Sequence, residues 1–247
     1  AYKPKALVQD LVALIAAESP GQPAAGVIAH DWGGALAWNL AIQHPEVLQQ
    51  LLIINAPHPG AFVRELQHNP AQQAASQYMH FLRRSDAPAL LLADGAKRLW
   101  DFFRTPEGRL PVWLTPERQA MYLAHWQQSL TTACHYYSAS PLVPPRGEDQ
   151  SIQQLQLPDV LLHTTVPTHI LWGQQDTALL PELLNGLAPW VPHLSITYAP
   201  DASHWLVHER PDLVIRQLHQ LLRQSLPKRE LSALEKTGQN TDFILDY

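Results

Sequence analysis

The residues with the clearest chemical potential lie in one short stretch, residues 26–34, which read GVIAHDWGG. An apolar run ends at an acid, two glycines follow, and residues 35–42 have the composition of a helix. This pattern predicts a strand, a tight turn and a helix, with the carboxylate of Asp31 at the tip of the turn. A carboxylate presented in this way can attack a saturated carbon and form an alkyl ester on the protein. Epoxide opening and halide displacement are reactions of this kind, whereas cleavage of amides or esters is not expected.

A purely structural role for Asp31 is the alternative. Aspartate is a good cap for the N-terminus of the helix that follows, and short motifs also match by chance. The local pattern does not decide between a nucleophile and a helix cap, so the decision rests on the remainder of the chain.

Composition excludes several classes of function. The chain has 247 residues, 46% hydrophobic and 16% charged, which suits one globular domain or a core with an insertion. A net charge of -5 provides no basic surface for nucleic acid. Cys134 is the only cysteine, so an internal disulfide is excluded and a reducing, cytoplasmic location is predicted. The sequence shows neither a signal peptide nor an apolar run of membrane-spanning length.

Apolar runs and helical segments alternate along the chain. Strand-like runs precede Asp31 and recur at residues 51–54, 168–173 and 194–198. The run at residues 51–54 has no polar alternation, as in strands buried on both faces of a parallel sheet. Helices are predicted at residues 6–15, 35–42, 181–187 and 211–222. The sequence therefore predicts an α/β layer.

The middle of the chain has a different character. Aromatic residues, glutamines and prolines punctuate helical segments such as residues 89–103 and 116–137, and strand-like runs are scarce there. We expect three parts: a core formed by residues 1–57 and 167–226, a helical insertion or cap at residues 58–166, and a polar tail at residues 227–247.

Four motifs resemble those of the epoxide hydrolases of the α/β-hydrolase fold, a family related to the haloalkane dehalogenases. They are HDWGG at residues 30–34, NAPHP at 55–59, LWGQQD at 171–176, and ASHW at 202–205 followed by ERP at 209–211. The similarity extends from about residue 5 to residue 223 and keeps the order of the family. It implies a parallel sheet flanked by helices, with an inserted helical cap and no cofactor.

The resemblance implies a catalytic triad of Asp31, Asp176 and His204. An ester on Asp31 needs water to release it, and His204 could accept the proton from that water. Asp176 could orient the imidazole and stabilise its charged form. Taken singly, Asp176 could be a turn residue and His204 a polar loop residue, but both are expected where strands end.

Epoxide opening also needs a proton donor for the leaving oxygen, and the family uses two cap tyrosines for this purpose. Tyr78 stands at the place that resembles the first and Tyr137 at the place that resembles the second. Because the family often has arginine or another polar residue after the second tyrosine, and this chain has Ser138, Tyr136 remains a competitor. Alternatively, these tyrosines only pack at the cap surface.

Trp32 has two expected roles. Its backbone N–H could form half of an oxyanion hole during ester hydrolysis. Its indole N–H could hold a leaving halide, as in the dehalogenase relatives. Fluoroacetate-type relatives carry arginines beside the nucleophile, whereas this chain has Trp32 and Ala35, which argues against small haloacids.

No metal site is expected among the 13 histidines. His204 and His208 are four residues apart, a ligand spacing on a helix, but no glutamate lies between them in the position that zinc proteases use. We expect His208 to face solvent, and His58 to be a structural residue at the cap hinge.

The resemblance also predicts missing parts. The family has further strands before the region matched here, and a His-Gly-x-Pro loop that supplies the other half of the oxyanion hole. The chain contains no His-Gly pair, which implies truncation at the N-terminus. Residues 27–29 would then be an exposed, aggregation-prone sheet edge. Loss of one oxyanion donor typically costs about 10²- to 10³-fold in rate.

The expected function is hydrolysis of a small hydrophobic epoxide to a diol. One alternative is a haloalkane dehalogenase with the same nucleophile and triad. The other is an inactive remnant or ligand-binding module that keeps the cap pocket without the chemistry. A homodimer is compatible with the sequence, and neither a nucleic-acid partner nor a membrane span is expected.

Overall fold

The computed structural model describes residues 2–105 and 107–225, and in this range four strands form one parallel sheet. In chain order and in sheet order, the strands are β1 (Val27–His30), β2 (Leu51–Ile54), β3 (Thr168–Gly173) and β4 (Leu194–Ala199). They coincide with the four strand-like runs of the sequence. The predicted α/β layer is therefore confirmed.

The surroundings of strand β2 explain why its sequence carries no polar alternation. Leu51 and Ile53 belong to the apolar cluster that includes helices α1 (Pro4–Glu18) and α2 (Asp31–Gln43). Leu52 and Ile54 belong to a second cluster, which includes α10 (Pro211–Ser225). Because successive side chains of a strand point to opposite faces, a strand covered by helices on both sides needs apolar residues throughout.

Between β2 and β3 the described residues form helices rather than strands. These are α3 (Pro59–His68), α4 (Pro70–Ala75), α5 (Tyr78–Leu82), α6 (Ala87–Asp101), α7 (Pro116–Ala139), α8 (Ser151–Gln154) and a 3₁₀ helix at Asp159–Leu161. Apolar residues of α5, α6 and α7 pack into a cluster of their own. We refer to residues 58–166 as the cap.

The cap is joined to the core at His58. Its Nδ1 accepts a hydrogen bond from the backbone N–H of Gly60, and its Nε2 donates to the carbonyl of Leu162 at 2.8 Å. The imidazole also stacks on Trp190 with ring centroids 5.0 Å apart. Burial lowers the pKa of His58 to about 4, which keeps the ring neutral and able to accept. His58 thus connects the beginning and the end of the cap, in line with a structural role.

Two predicted helices differ from the structure. The helix predicted at residues 89–103 is interrupted at residues 93–96, where Asp94, Gly95 and Ala96 have φ of +51°, +68° and +61°. Glycine adopts this left-handed conformation without steric cost, so the interruption centres on it. The helix predicted at residues 181–187 is only a 3₁₀ turn, Pro181–Leu184.

Strand β1 pairs with β2 alone in the described residues, and its Ile28 is 40% exposed. This agrees with the expected apolar edge at residues 27–29. None of the helices in residues 2–105 and 107–225 has the length and hydrophobicity to cross a membrane. The predicted polar tail at residues 227–247 lies outside the described residues.

Candidate active site

Each of the four strands is followed by a polar residue that contributes to one cluster. Asp31 directly follows β1, Asn55 directly follows β2, Asp176 comes shortly after β3, and His204 comes shortly after β4. Parallel neighbouring strands place their carboxyl ends at the same edge of a sheet, where sites in this architecture normally form. The order of the strands therefore gathers residues that are up to 173 positions apart, between Asp31 and His204.

Asp31 occupies a strained turn at the start of α2. Its φ is +50°, which is unusual for a residue with a side chain. A Cβ added at Gly34 would overlap the Cβ of Ala56, so this glycine allows α2 to approach the end of β2. The Asp31 side chain remains 38% exposed, which leaves its carboxylate accessible to a reactant.

His204 lies between two carboxylates. Its Nε2 is 3.3 Å from Oδ1 of Asp31, and its Nδ1 is 2.7 Å from Oδ2 of Asp176. The Asp176 side chain is completely buried, in contrast to that of Asp31. The three residues predicted as a triad therefore form a continuous chain of polar contacts, from the accessible carboxylate of Asp31 through His204 to the buried carboxylate of Asp176.

The buried carboxylate of Asp176 is held by donors on several sides. Its Oδ1 accepts hydrogen bonds from the backbone N–H groups of Ala178 and Leu179 at 2.9 and 2.8 Å. Its Oδ2 accepts from Nδ2 of Asn55 at 2.8 Å, in addition to His204. With both oxygens engaged, the carboxylate has a fixed orientation toward the imidazole.

Asn55 is a buried residue for which the sequence suggested no role. This buried residue has φ of +37°, and its Oδ1 accepts from the backbone N–H of Gly173 at 2.8 Å. It thereby links the end of β2 to the end of β3 and positions the acid. The available signal was a polar side chain directly after a buried apolar strand.

The two carboxylates determine the charge of His204. Burial would lower the pKa of the imidazole, but hydrogen bonds to Asp176 and Asp31 and their negative charges raise the pKa to about 10. Burial likewise opposes ionisation of Asp31, while the hydrogen bond and charge of His204 hold the pKa of that carboxyl below its ordinary value. The unreacted site therefore contains an imidazolium between two carboxylates.

His30 is a second residue for which the sequence suggested no role. Burial and, after it, the positive charge of His204 lower the pKa of His30 to about 4. The neutral ring places Nε2 2.8 Å from the backbone carbonyl of His204. This contact ties the end of β1 to the loop that carries His204. Adjacency to Asp31 was the only signal in the sequence.

Tyr78 and Tyr137 meet on the cap side of the site. Their ring centroids are 6.1 Å apart at 75°, and Tyr137 packs edge-on against Trp32 at 5.1 Å. Tyr136 instead contacts Tyr2 at 5.3 Å and Trp32 at 5.6 Å. Between the two candidates for the second tyrosine, the structure places Tyr137 beside Tyr78.

Both tyrosines remain protonated at ordinary pH. Burial raises the pKa of Tyr78 far above its ordinary value, and the charge of Asp31 adds to the shift. Burial, the neighbouring Tyr78 and the charge of Asp31 raise the pKa of Tyr137 in the same way. Each tyrosine side chain affects the pKa of the other, and the Trp32 side chain affects that of Tyr137. The site thus combines an accessible carboxylate with two O–H donors close enough to sense its charge.

The expectation that His208 faces solvent is wrong. Its ring stacks on Trp113 of the cap at 4.2 Å, and its Nε2 is 3.2 Å from the hydroxyl of Tyr122. The reason is that the cap packs on helix α9 (Leu206–Glu209), an arrangement that local sequence does not encode. His204 precedes this helix, so the spacing of the two histidines does not place them on one helical face. In the part of the chain that the structure describes, no three candidate ligands cluster as a metal site would require.

Gly173→Ala is expected to lower the free energy of unfolding by about 1–3 kcal/mol, the usual cost of overpacking. A Cβ at Gly173 would overlap the carbonyl oxygens of Ser203 and Ala202, which are backbone atoms directly before His204. Gly33→Ala is the matched control, because a Cβ there meets no atom within 4 Å. Urea unfolding of both variants checks the expectation, and equal stabilities would contradict it.

Comparisons with known proteins agree with this fold. A family model described as the alpha/beta hydrolase fold matches residues 5–211. Human epoxide hydrolase 4 is 28% identical over 93% of this chain and 61% of its own length. The Bacillus subtilis AB hydrolase superfamily protein YfhM is 29% identical over 90% of the chain and 73% of its own length. The chain thus spans less than two thirds of the human relative.

Solved structures of similar proteins share the architecture. A mutant of an epoxide hydrolase from Bacillus megaterium superposes with a TM-score of 0.77 at 28% identity, over 90% of this chain and 76% of the other. A structure described among novel epoxide hydrolases from metagenomes of hot environments gives 0.75 at 31% identity, over 90% and 74%. The family match covers most of the sequence, and the parallel sheet flanked by helices agrees with it. The chain belongs to the α/β-hydrolase fold family.

Proposed function

We propose that this protein hydrolyses epoxides to diols through a covalent ester on Asp31. The carrying observation is the arrangement of an accessible Asp31 carboxylate between the His204–Asp176 pair and two protonated tyrosines. The relatives named epoxide hydrolases support the same reaction class.

In the first step, an oxygen of Asp31 attacks one epoxide carbon and the bond from that carbon to the ring oxygen breaks. The leaving oxygen takes a proton from Tyr78 or Tyr137, whose raised pKa values keep both hydroxyls protonated until this moment. The product is a hydroxyalkyl ester of Asp31. The aromatic surroundings, which include Trp32, suit a hydrophobic substituent on the epoxide.

In the second step, water attacks the ester carbonyl and His204 accepts the proton. Ester formation removes the negative charge of Asp31, which is one of the causes that raise the pKa of His204. The imidazolium therefore gives up its proton more easily at this stage, and that proton converts the tyrosinate left by ring opening back to tyrosine. The neutral imidazole that remains can then act as the base. Asp176 stabilises the imidazolium that forms, the diol leaves, and Asp31 is restored. The backbone N–H of Trp32 helps to lower the pKa of the Asp31 carboxyl group and is suited to stabilise the oxyanion.

Asp31→Asn is expected to lower the pKa of His204 below the value of about 10 in the unchanged protein. The amide resembles the ester in charge: it removes a negative neighbour that favours the imidazolium, while Asp176 remains. An NMR titration of the His204 ring protons in both proteins measures the difference. An unchanged pKa would show that Asp31 does not contribute to the charge of His204.

Halide displacement by the same carboxylate is the close alternative. It would need the indole N–H of Trp32 for the halide, yet the Trp32 ring packs edge-on against Tyr137, with centroids 5.1 Å apart. A dehalogenase would also have no need for paired tyrosines. Bromide release that survives Tyr78→Phe combined with Tyr137→Phe would favour the dehalogenase.

A single turnover in heavy-oxygen water tests the covalent scheme. Because water attacks the ester carbonyl, the label should enter the Asp31 carboxylate, and mass spectrometry of the peptide that contains Asp31 detects it. The diol formed in that first turnover should carry the original carboxylate oxygen and no label. Labelled diol with unlabelled Asp31 would show direct attack of water on the epoxide and refute the ester.

A further inference from the structure

One side of the turn that carries Tyr78 is bound to the chain segment that follows Tyr137. Nε2 of Gln77 donates to the carbonyl of Pro145 at 3.2 Å, and Nε2 of His80 lies 2.9 Å from the carbonyl of Pro144. Arg83 continues the row at the same spacing of three residues, so the three side chains lie along one side of the turn.

Arg83 makes the contact nearest to the site. Its Nη1 donates to the carbonyl of Ser140 at 2.5 Å and to the carbonyl of Tyr137 at 3.3 Å. These carbonyls belong to the C-terminal end of α7, where the last turn lacks intrahelical donors and carries partial negative charge. In residues 2–105 and 107–225, the ion pairs with carboxylates involve other arginines. Among the described residues, the guanidinium of Arg83 therefore binds this helix end rather than a carboxylate.

The two tyrosines depend on this contact for their relative position. Tyr78 and Arg83 belong to the same short turn, α5 with its C-terminal cap, and Tyr137 is the residue whose carbonyl Arg83 binds. The tyrosine rings meet on the site side at 6.1 Å, while the guanidinium joins the two backbones. A planar fork with several donors fixes a helix end in position and orientation, which a single ammonium donor does less well.

We propose that Arg83 is a positioning residue that keeps the hydroxyls of Tyr78 and Tyr137 directed at one common point. This proposal rests on the proposed function, because the common point is the oxygen of the opening epoxide. Arg83 touches neither the substrate nor Asp31. It acts by fixing α5 against the end of α7.

The test compares Arg83→Met, Arg83→Lys and the matched control Arg84→Met in the full chain. Arg84 is the next residue, is exposed, and pairs with Asp86 at 2.6 Å. Quenched-flow measurement with a monosubstituted aryl epoxide separates the rate of ring opening from the rate of ester hydrolysis. Thermal melting checks that each variant is folded. Arg83→Lys keeps one donor and the charge, so it serves if Arg83→Met does not fold.

Arg83→Met should slow ring opening by about 10- to 100-fold, because misplacing a reacting group by about 1 Å can cost 100-fold. Ester hydrolysis should keep its rate, since the contacts of His204 and Asp176 do not involve α5. The ring-opening rate of Arg83→Lys should fall between those of Arg83→Met and the unchanged protein, and the rate of Arg84→Met should match that of the unchanged protein. In a Tyr137→Phe background the effect of Arg83→Met should shrink, because the pair it aligns is gone.

A general loss of stability would slow both steps, or would slow opening equally in the Tyr137→Phe background. Either result would overturn the positioning role, as would a normal opening rate in folded Arg83→Met. If the unchanged protein opens no epoxide, the proposed function fails, and the positioning role of Arg83 is then judged by NMR of ¹³C-labelled tyrosines at neutral pH. Arg83→Met should shift the ring resonances of Tyr78 and Tyr137, whose rings contact each other at 6.1 Å, whereas Arg84→Met should not. Unchanged resonances would refute the positioning role by itself.

Discussion

Asp31→Ala is expected to lower kcat for epoxide hydrolysis by about 10⁴- to 10⁶-fold, the scale seen when a nucleophile is removed from a hydrolase. The physical reason is that no other carboxylate can take its place. Asp176 is completely buried behind His204, whereas the Asp31 side chain is 38% exposed. Steady-state rates with aryl and alkyl epoxides, together with a melting curve, provide the measurement.

Asp94→Ala is the control for this variant. Asp94 has φ of +51°, almost the same as the +50° of Asp31, and it is exposed in the interrupted helix of the cap. The control therefore removes a carboxylate from the same strained backbone conformation without touching the site. Full activity in Asp31→Ala, or an equal loss in Asp94→Ala, would exclude Asp31 as the nucleophile.

His204→Gln is expected to stop the reaction at the ester. Ring opening needs Asp31 and the tyrosines, so it should still occur once per protein molecule. Ester hydrolysis should slow by about 10²- to 10⁴-fold, because the general base that activates water is gone. The measurement is a burst of one equivalent of consumed epoxide, with the mass of the intact substrate added to the peptide that contains Asp31.

An exposed histidine outside the site provides the comparison. His219→Gln, on α10, should turn over normally and accumulate no ester. If His204→Gln consumes no epoxide at all, the histidine is required before the ester forms. If it turns over at the normal rate, another group activates the water. Either result would refute the assigned role of His204.

Much of the fold could be predicted because its strands are defined by burial. The run at Leu51–Ile54 is apolar throughout, and so are residues 170–172 within β3, which only a strand covered on both faces requires. The interruption in α6 was not predictable from periodicity, because Leu91 and Leu99 keep helical spacing across it. The environment of His208 was mispredicted because Trp113 and Tyr122, which contact it, are distant in sequence.

The grouping of Asp31, Asp176 and His204 could also be anticipated, since each was expected to follow a strand of one parallel sheet. Their distances and charges could not. The pKa of His204, about 10, depends on two carboxylates on opposite sides of its ring. The choice between Tyr136 and Tyr137 depends on the rotation of α7 against α5, which neighbouring positions in one helix do not reveal.

Sequence by itself determined the features that need only local order: the buried strands, the turn at Asp31 and the strand ends where polar residues follow. The tertiary structure alone decided which polar residues hydrogen-bond to each other. Examples are Asn55 with Asp176, His30 with the His204 loop, and Arg83 with the end of α7. The physical reason is that such contacts arise from the packing of separate elements. A hydrogen bond across the fold leaves no periodic pattern in the chain, whereas burial does.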